Sequence, residues 1–503
     1  MEKIVLKISD YLYSLKLLSY LEAVHKVVLI VFILCAGYLT FSLNGNEEQY
    51  MTYAKQFMDP DWISSRYLNE FAGTRVLYQY IVGFFLEYFS FETVRFVGVF
   101  ILAVWFALPL SKLYDYLKLS NVQILLHLPI LYLLNQSMFA GSWMMLSLEP
   151  KCFSYIFVLY AINAYLRSNF KRMLLFLIIA TYFHVLVGGY VFAFIMASLF
   201  FFDKSKSFKF HSVLAIVYVI ALLPFVLYLK TAVTGDVNYS PSPDWIYSYF
   251  RSPHHVGLFR DLSYFYSKHF YGVMFAIVAL LISLGFFKYN KNYALSKLNH
   301  FVFLSLIGVL LSVVIAYFDK EGKFVKYYPF RINATTTFLF TLIISQYVFV
   351  HLKKKSLRLV RPLIAMVAFL FLLKMAMTNI ISSKNYLKMN TASDLTEMSN
   401  YIKENTDKED VILSFVDELS LNRRMQRDRF VVYKFIPADL SAIPEWYERE
   451  LFKRKVSANI SQIKNKKEDY RIDYILTTGI VKKDFFQLEF NNSKYYLYKL
   501  KLE

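Results

Sequence analysis

The stretch Lys353-Lys-Lys-Ser-Leu-Arg-Leu-Val-Arg361 places five positive charges between two apolar runs, 332–352 and 361–381. Charge of this kind beside a membrane span is retained on the cytoplasmic side. Four more clusters stand at the ends of other apolar runs: Lys112/Lys118, Arg167/Lys171/Arg172, Lys204/Lys206/Lys209 and Lys288/Lys291/Lys297. Putting all five on one side fixes a topology. It also collects the functional-looking residues on the opposite, external face.

Of the 503 residues, 57% are hydrophobic, against about 45–50% in soluble domains. The net charge of +19 sits in loops that flank apolar runs, where topology accounts for it, so nucleic acid is not an expected partner. Cys35 and Cys152 lie in or beside apolar runs and suggest neither a disulfide framework nor a zinc site. The first apolar run, about 23–43, is long enough to span and lacks a small-residue cleavage site, so it reads as a span rather than a signal peptide.

Lys3, Lys7, Lys16 and Lys26 precede that run, which puts the N-terminus in the cytoplasm. The chain crosses outward at about 24–43 into a polar loop, 44–75, carrying Glu47, Glu48, Asp59, Asp61 and Glu70. Val76 to Phe91 is apolar and aromatic, but as a full span it would strand Lys112 and Lys118 outside. It is therefore expected as an amphipathic or re-entrant helix at the outer interface. The chain returns at about 93–111, and 121–138 and 152–167 form an out-and-back pair. Residues 173–202 exceed the roughly 20 residues of one span and hold His184, Gly188 and Gly189 in the middle. They read as a hairpin of two short helices. Spans near 211–230, 271–287, 299–318, 332–352 and 361–381 bring the total to about 11, with the C-terminus external. Lys374 lies inside the last of them without an evident role.

Beyond about residue 385 the pattern changes. A helical signal (Ser393 to Glu404) alternates with β-like runs at Val411–Phe415, Phe430–Phe435, Tyr474–Thr478 and Tyr495–Lys499. This predicts a small α/β domain able to bury its own core. The expected fold is a polytopic α-helical membrane protein with a transmembrane domain over 1–384 and an external α/β domain over 385–503. The first domain includes the external loop and interface helices 44–92 and an external loop 231–270.

Five external places carry chemistry. In Asn44-Gly-Asn-Glu-Glu-Gln-Tyr50 a carboxylate at the membrane surface suits a general base toward an acceptor hydroxyl or amine, or a divalent metal ligand. The structural alternative is a helix start with Asn46 as N-cap and Glu47 and Glu48 in the first turn. Arg251-Ser-Pro-His-His255 suits a phosphate or diphosphate, combining bidentate donors with an optional proton; a solvated loop is the alternative. Arg331, in Pro329-Phe-Arg331 with Lys323 and Lys326 before it, lies near the membrane plane, where a cation needs a partner. That partner is a lipid phosphate or, by snorkelling, the headgroup layer. Glu149-Pro-Lys151 opens a span, as substrate contact or as an ordinary start with Pro at the first helical position. His184 sits at the hairpin tip beside glycines that let helices approach closely. No phosphate-binding loop, dinucleotide fingerprint, zinc-protease helix or nucleophile elbow occurs in a credible setting.

A first span followed by Glu47-Glu48-x-Tyr50-x-x-x-Ala54 resembles the start of glycosyltransferases of the GT-C superfold. Val76-Leu-Tyr-Gln-Tyr-Ile to Phe91, with Arg95 opening a span, resembles the juxtamembrane helix and second span of protein mannosyltransferases and aminoarabinose transferases. Thr74-Arg-Val-Leu77 stands where that family usually has Pro-Pro-Leu, and Glu47-Glu48 replaces its Asp-Glu. Arg251-x-Pro-His-His255, Pro329-Phe-Arg331 and Glu445-Trp446-Tyr447 also resemble a poorly characterised group of bacterial polytopic proteins with an external α/β tail.

The GT-C resemblance implies a polyprenyl-phosphate-linked sugar as donor and a glycan, lipid or protein as acceptor, at the external face of the cell membrane. It implies inversion at the anomeric carbon, with Glu47 or Glu48 deprotonating the acceptor. The leaving phosphate needs cations, and Arg331, His254, His255 and Arg251 are the available ones. Tyr50, Asp61, Glu149 and His184 are candidate substrate contacts. The resemblance names no definite cofactor, and a divalent metal is compatible with it. Three other classes stay open: a polysaccharide polymerase or ligase, a transporter of lipid-linked glycans, and a non-catalytic assembly protein acting through its tail.

Overall fold

The computed structural model describes residues 17–70, 75–145, 147–232, 237–289, 292–351, 354–391 and 393–501. Lys3, Lys7, Lys16, Thr74, Lys291 and Lys353 lie outside them. The chain is mostly helical and divides into two compact units. One comprises Met1–Leu39, Phe96–Phe225 and Ser252–Ile380; the other Thr40–Arg95, Val226–Arg251 and Ile381–Glu503.

Among the described residues, seven helices are long and apolar enough to cross a membrane. They are Phe91–Tyr116, Val185–Phe202, Phe208–Leu229, Phe270–Lys288, Tyr293–Phe318, Val325–His351 and the apolar part of Lys354–Thr391. Two shorter apolar helices, Lys26–Tyr38 and Asn121–Leu133, and the helices Pro150–Leu166 and Phe170–Phe183 stand at other places where crossings are expected. Their exposed surface is what lipid explains. Only 22% of the apolar window of Phe208–Leu229 is buried, and Val213, Ile216, Val217, Val219, Ile220 and Leu223 all face outward. A soluble protein does not leave so large an apolar face bare.

Inside the first unit, polar side chains tie the helices together, as they do where no water competes. His127 bonds to the Tyr114 hydroxyl at 2.9 Å and to the Phe338 carbonyl at 3.1 Å. Gln123 donates to Gln346 at 2.7 Å, and Gln346 to the Leu117 carbonyl at 2.9 Å. The helix carrying Gln123 starts on a capping box, Ser120 with Gln123, which satisfies its first amides reciprocally. The expected hairpin at 173–202 is two helices, Phe170–Phe183 and Val185–Phe202, broken at His184.

In the second unit the Gly45–Met58 helix packs on Val76–Tyr88. Gly83 makes this contact close, because a Cβ there would overlap the Ala54 backbone and lie 2.5 Å from Met58 Cγ. At 13 residues, Val76–Tyr88 is about 20 Å long, short of the roughly 30 Å hydrocarbon layer. One face (Tyr78, Gln79, Val82, Gly83, Leu86) is buried, while Tyr80, Ile81, Phe84, Phe85 and Tyr88 are exposed.

The tail contributes a five-stranded sheet in the order β2-β1-β3-β5-β4, with β1 Val411–Ser414, β2 Asp428–Arg429, β3 Tyr474–Thr477, β4 Phe486–Asn491 and β5 Tyr496–Leu500. β1 is parallel to β2 and β3; β5 is antiparallel to β3 and β4. The helix Asp394–Asn405 stands where one is expected, capped by Ser393. The run Phe430–Phe435 is buried but forms no strand, contrary to expectation. Side chains take its carbonyls instead: Arg449 donates to Phe430 O at 3.2 Å, Trp446 Nε1 to Val432 O at 3.2 Å, and Gln49 and Arg251 to Lys434 O at 3.0 and 3.1 Å.

Candidate functional site

The expected site residues fall in both units. The first unit holds Arg331, His254, His255, Glu149 and His184; the second holds Glu47, Glu48, Tyr50, Asp61 and Arg251.

In the first unit, Glu149 caps Pro150–Leu166 with Pro150 at the first helical position. Its carboxylate makes no capping bond. It lies 3.1 Å from Lys151 Nζ and accepts from the Ser147 hydroxyl. Lys151 is buried, with its ammonium 3.2 Å from the centre of the Trp143 ring. His255 donates from Nδ1 to the Ala140 carbonyl, 3.1 Å away, and stacks loosely on His254, Trp143 and Tyr328. The loop that presents this carbonyl has positive φ at Ala140 and Gly141. A non-glycine residue held there marks a segment whose surroundings over-determine it. The Arg331 guanidinium lies 4.8 Å above the Tyr328 ring, while the Arg331 carbonyl accepts from Ser142 and Tyr155.

Burial first, and then the neighbouring His254, Arg331 and Lys151, hold the His255 pKa well below the ordinary imidazole value. The ring is therefore neutral near pH 7, with its proton on Nδ1 and a lone pair on Nε2. The cluster carries Lys151 and Arg331 against Glu149, a net charge of about +1. Among the described residues, Arg331 Nε and Trp143 Nε1 are buried donors without an acceptor. Net positive charge plus orphaned donors is what an anionic oxygen relieves. Lys151 and Trp143 were not singled out from sequence as site residues. The Glu149-Pro-Lys151 stretch carried the signal for the first, and nothing local did for the second.

In the second unit, Glu47 and Glu48 are both buried. The N-cap of Gly45–Met58 is Asn44, two residues before the Asn46 expected from sequence. Its side chain accepts from the Asn46 and Glu47 amides, and Glu47 Oε2 accepts from the Asn44 amide at 2.9 Å. Glu47 also pairs with Arg95 Nε at 3.1 Å. Glu48 is held by Arg423 through both oxygens, at 2.8 and 3.1 Å. Tyr50 meets the Tyr78 ring edge-on, and Asp61 is exposed in a turn. Arg251 is buried against the Tyr433 ring and the Lys434 carbonyl. His184 is buried at the break between its two helices. Among the described residues, no group of three or more His, Cys, Asp or Glu side chains is placed to hold a metal ion.

Neither a protein-family model nor a curated protein matches the chain.

Proposed function

We propose that the protein is a membrane glycosyltransferase that moves a sugar from a polyprenyl-phosphate donor to an acceptor at the external face of the cell membrane. The topology in this reading has about 11 spans, a cytoplasmic N-terminus and an external C-terminal domain. What supports it best is the cationic cluster of the first unit: Arg331 and Lys151, beside the imidazoles of His254 and His255, outweigh Glu149 and, among the described residues, leave buried donors unsatisfied. In the transfer, the bond from the anomeric carbon to the phosphate oxygen breaks and one to the acceptor oxygen forms. The phosphate leaves with the electron pair, and these cations take its charge.

The acceptor proton goes to a first-loop carboxylate in the family-like scheme. That carboxylate is Glu47 or Glu48; Glu47 caps its own helix and pairs with Arg95, and Glu48 is held by Arg423. A second reading assigns the proton to His255, favoured by its neutral ring and by a Nε2 that makes no hydrogen bond among the described residues.

The test is transfer from a polyprenyl-phosphate sugar by the full chain in lipid nanodiscs. Removing one preorganised donor typically costs about 100- to 1,000-fold in rate, so Arg331→Ala is expected to fall by that much with unchanged thermal stability. Wild-type rates in Arg331→Ala would sink the reading. His255→Gln then tests the second base: a large loss of rate at unchanged melting temperature supports it, and a wild-type rate excludes it. Glu48→Gln is read only against the melting temperature, because it also breaks the buried pair with Arg423.

A further inference from the structure

The second unit contains a cavity of about 390 Å³, within the 300–1,000 Å³ typical of small-ligand sites. Its wall mixes apolar surface, from Phe41, Leu387 and side-chain stems, with the polar groups of Glu92, Asn390, Thr396, Ser399, Arg423 and Arg424. Arg423 is already engaged, by Glu48 on one side and by Glu92 at 3.2 Å on the other. Arg424 donates to Thr396 at 3.0 Å and to the Asn390 side-chain oxygen. Its Nε is buried with no acceptor. The Ser399 hydroxyl, on a residue only 1% exposed, likewise has no partner among the described residues. Two orphaned polar groups, on two residues of one cavity wall, are a cost that native structures rarely leave standing.

The charges decide the chemical class. Arg423 and Arg424 balance Glu48 and Glu92, so the network is neutral, and the Glu92 carboxylate in the wall repels an anion. Guanidinium, carboxylate, amide and hydroxyl groups side by side offer donors and acceptors to neighbouring hydroxyls. We propose that this cavity binds an uncharged saccharide of one or two rings, with Arg424 Nε and the Ser399 hydroxyl bonding its oxygens. The site is built from residues of the second unit alone and does not depend on the transfer reading.

Isothermal titration of the full chain in nanodiscs, with no donor present, tests this. The probes are glucose, N-acetylglucosamine, their β-linked disaccharides, glucuronate and inorganic phosphate. Saturable binding of at least one neutral sugar is expected, weakened 10-fold or more in Arg424→Gln. Because Arg424 also bridges Asn390 and Thr396, Ser399→Val provides the control for folding. Its hydroxyl has no partner to lose, so the melting temperature should hold while affinity falls several-fold. Failure of every neutral sugar to bind overturns the proposal. So does tighter binding of glucuronate or phosphate, or neutral-sugar binding that both variants leave unchanged.

Discussion

Glu48 and Arg423 lie 375 residues apart in the chain and meet as a bidentate pair, with Arg423 Nε 2.8 Å from Oε2 and Nη2 3.1 Å from Oε1. Both side chains are at most a tenth exposed. The pair fastens the first loop to the tail within one compact unit. Removing one member of a buried pair strands the other charge, at about 3–5 kcal/mol. Glu48→Gln and Arg423→Gln are each expected to lower the melting temperature markedly. The double variant should lose less than the sum, with a coupling of about 0.5–3 kcal/mol. Strictly additive losses would mean that Glu92 and Tyr386, rather than Glu48, hold Arg423 in place.

Gly188 and Gly189 stand side by side with opposite expectations. A Cβ on Gly188 would lie 2.5 Å from the Thr181 backbone nitrogen, and nothing lies within 4 Å of one on Gly189. Backbone cannot yield as a flexible side chain can, so Gly188→Ala must push Val185–Phe202 away from Phe170–Phe183. Overpacking of this kind costs about 1–3 kcal/mol. Gly188→Ala should reduce the yield of folded protein and its melting temperature, whereas Gly189→Ala should match wild type in both. Equal behaviour of the two variants would refute the close approach.

How far this architecture was legible from sequence follows from the range of the forces involved. Hydropathy is local, so seven of the expected crossings carry helices long and apolar enough to span, among the described residues, and Lys26–Tyr38 and Asn121–Leu133 stand as shorter apolar helices at two more. Strands β1, β3 and β5 were legible for the same reason. β4 was missed, although Phe486, Leu488 and Phe490 alternate as a strand should. Phe430–Phe435 has the composition of a strand, but Arg449, Trp446, Gln49 and Arg251 take its carbonyls, and no local pattern reveals partners so distant in sequence. The same holds for the site. Arg331, His254 and His255 were chosen by residue type, whereas their association with Lys151 and Trp143 is tertiary. The gathering of 40–95, 226–251 and the tail into one unit is tertiary too.

The indole of Trp446 isolates one of these distant contacts. Trp446 is buried, and its Nε1–H donates to the Val432 carbonyl at 3.2 Å. Trp446→Phe keeps most of the apolar contact with Phe250 and Tyr433 but leaves that carbonyl bare. An unmet buried acceptor costs about 1–3 kcal/mol. Hydrogen exchange should quicken in 430–435 before it does in β1 and β3. Uniform quickening across the sheet would show that lost packing, not the lost hydrogen bond, governs the change.

Asp428, in β2, gives the tail a pH dependence of known sign. Burial pushes its carboxyl up to about 6 from 3.8, against the opposing pull of Ser65 and Arg449. Between the unfolded and folded values the native state holds this proton more tightly than the unfolded chain does. The contribution to stability is therefore full at about pH 4, falls as pH rises, and is level above the folded value. Asn at this position does not titrate. The melting temperature of Asp428→Asn minus that of wild type should accordingly climb between about pH 4 and 6.5 and then stay constant, whatever its value at the acid end. A difference that is flat across this range, or that shrinks as pH rises, would show that Asp428 is ionised in the folded protein throughout. Arg449 would then be the partner that keeps it so.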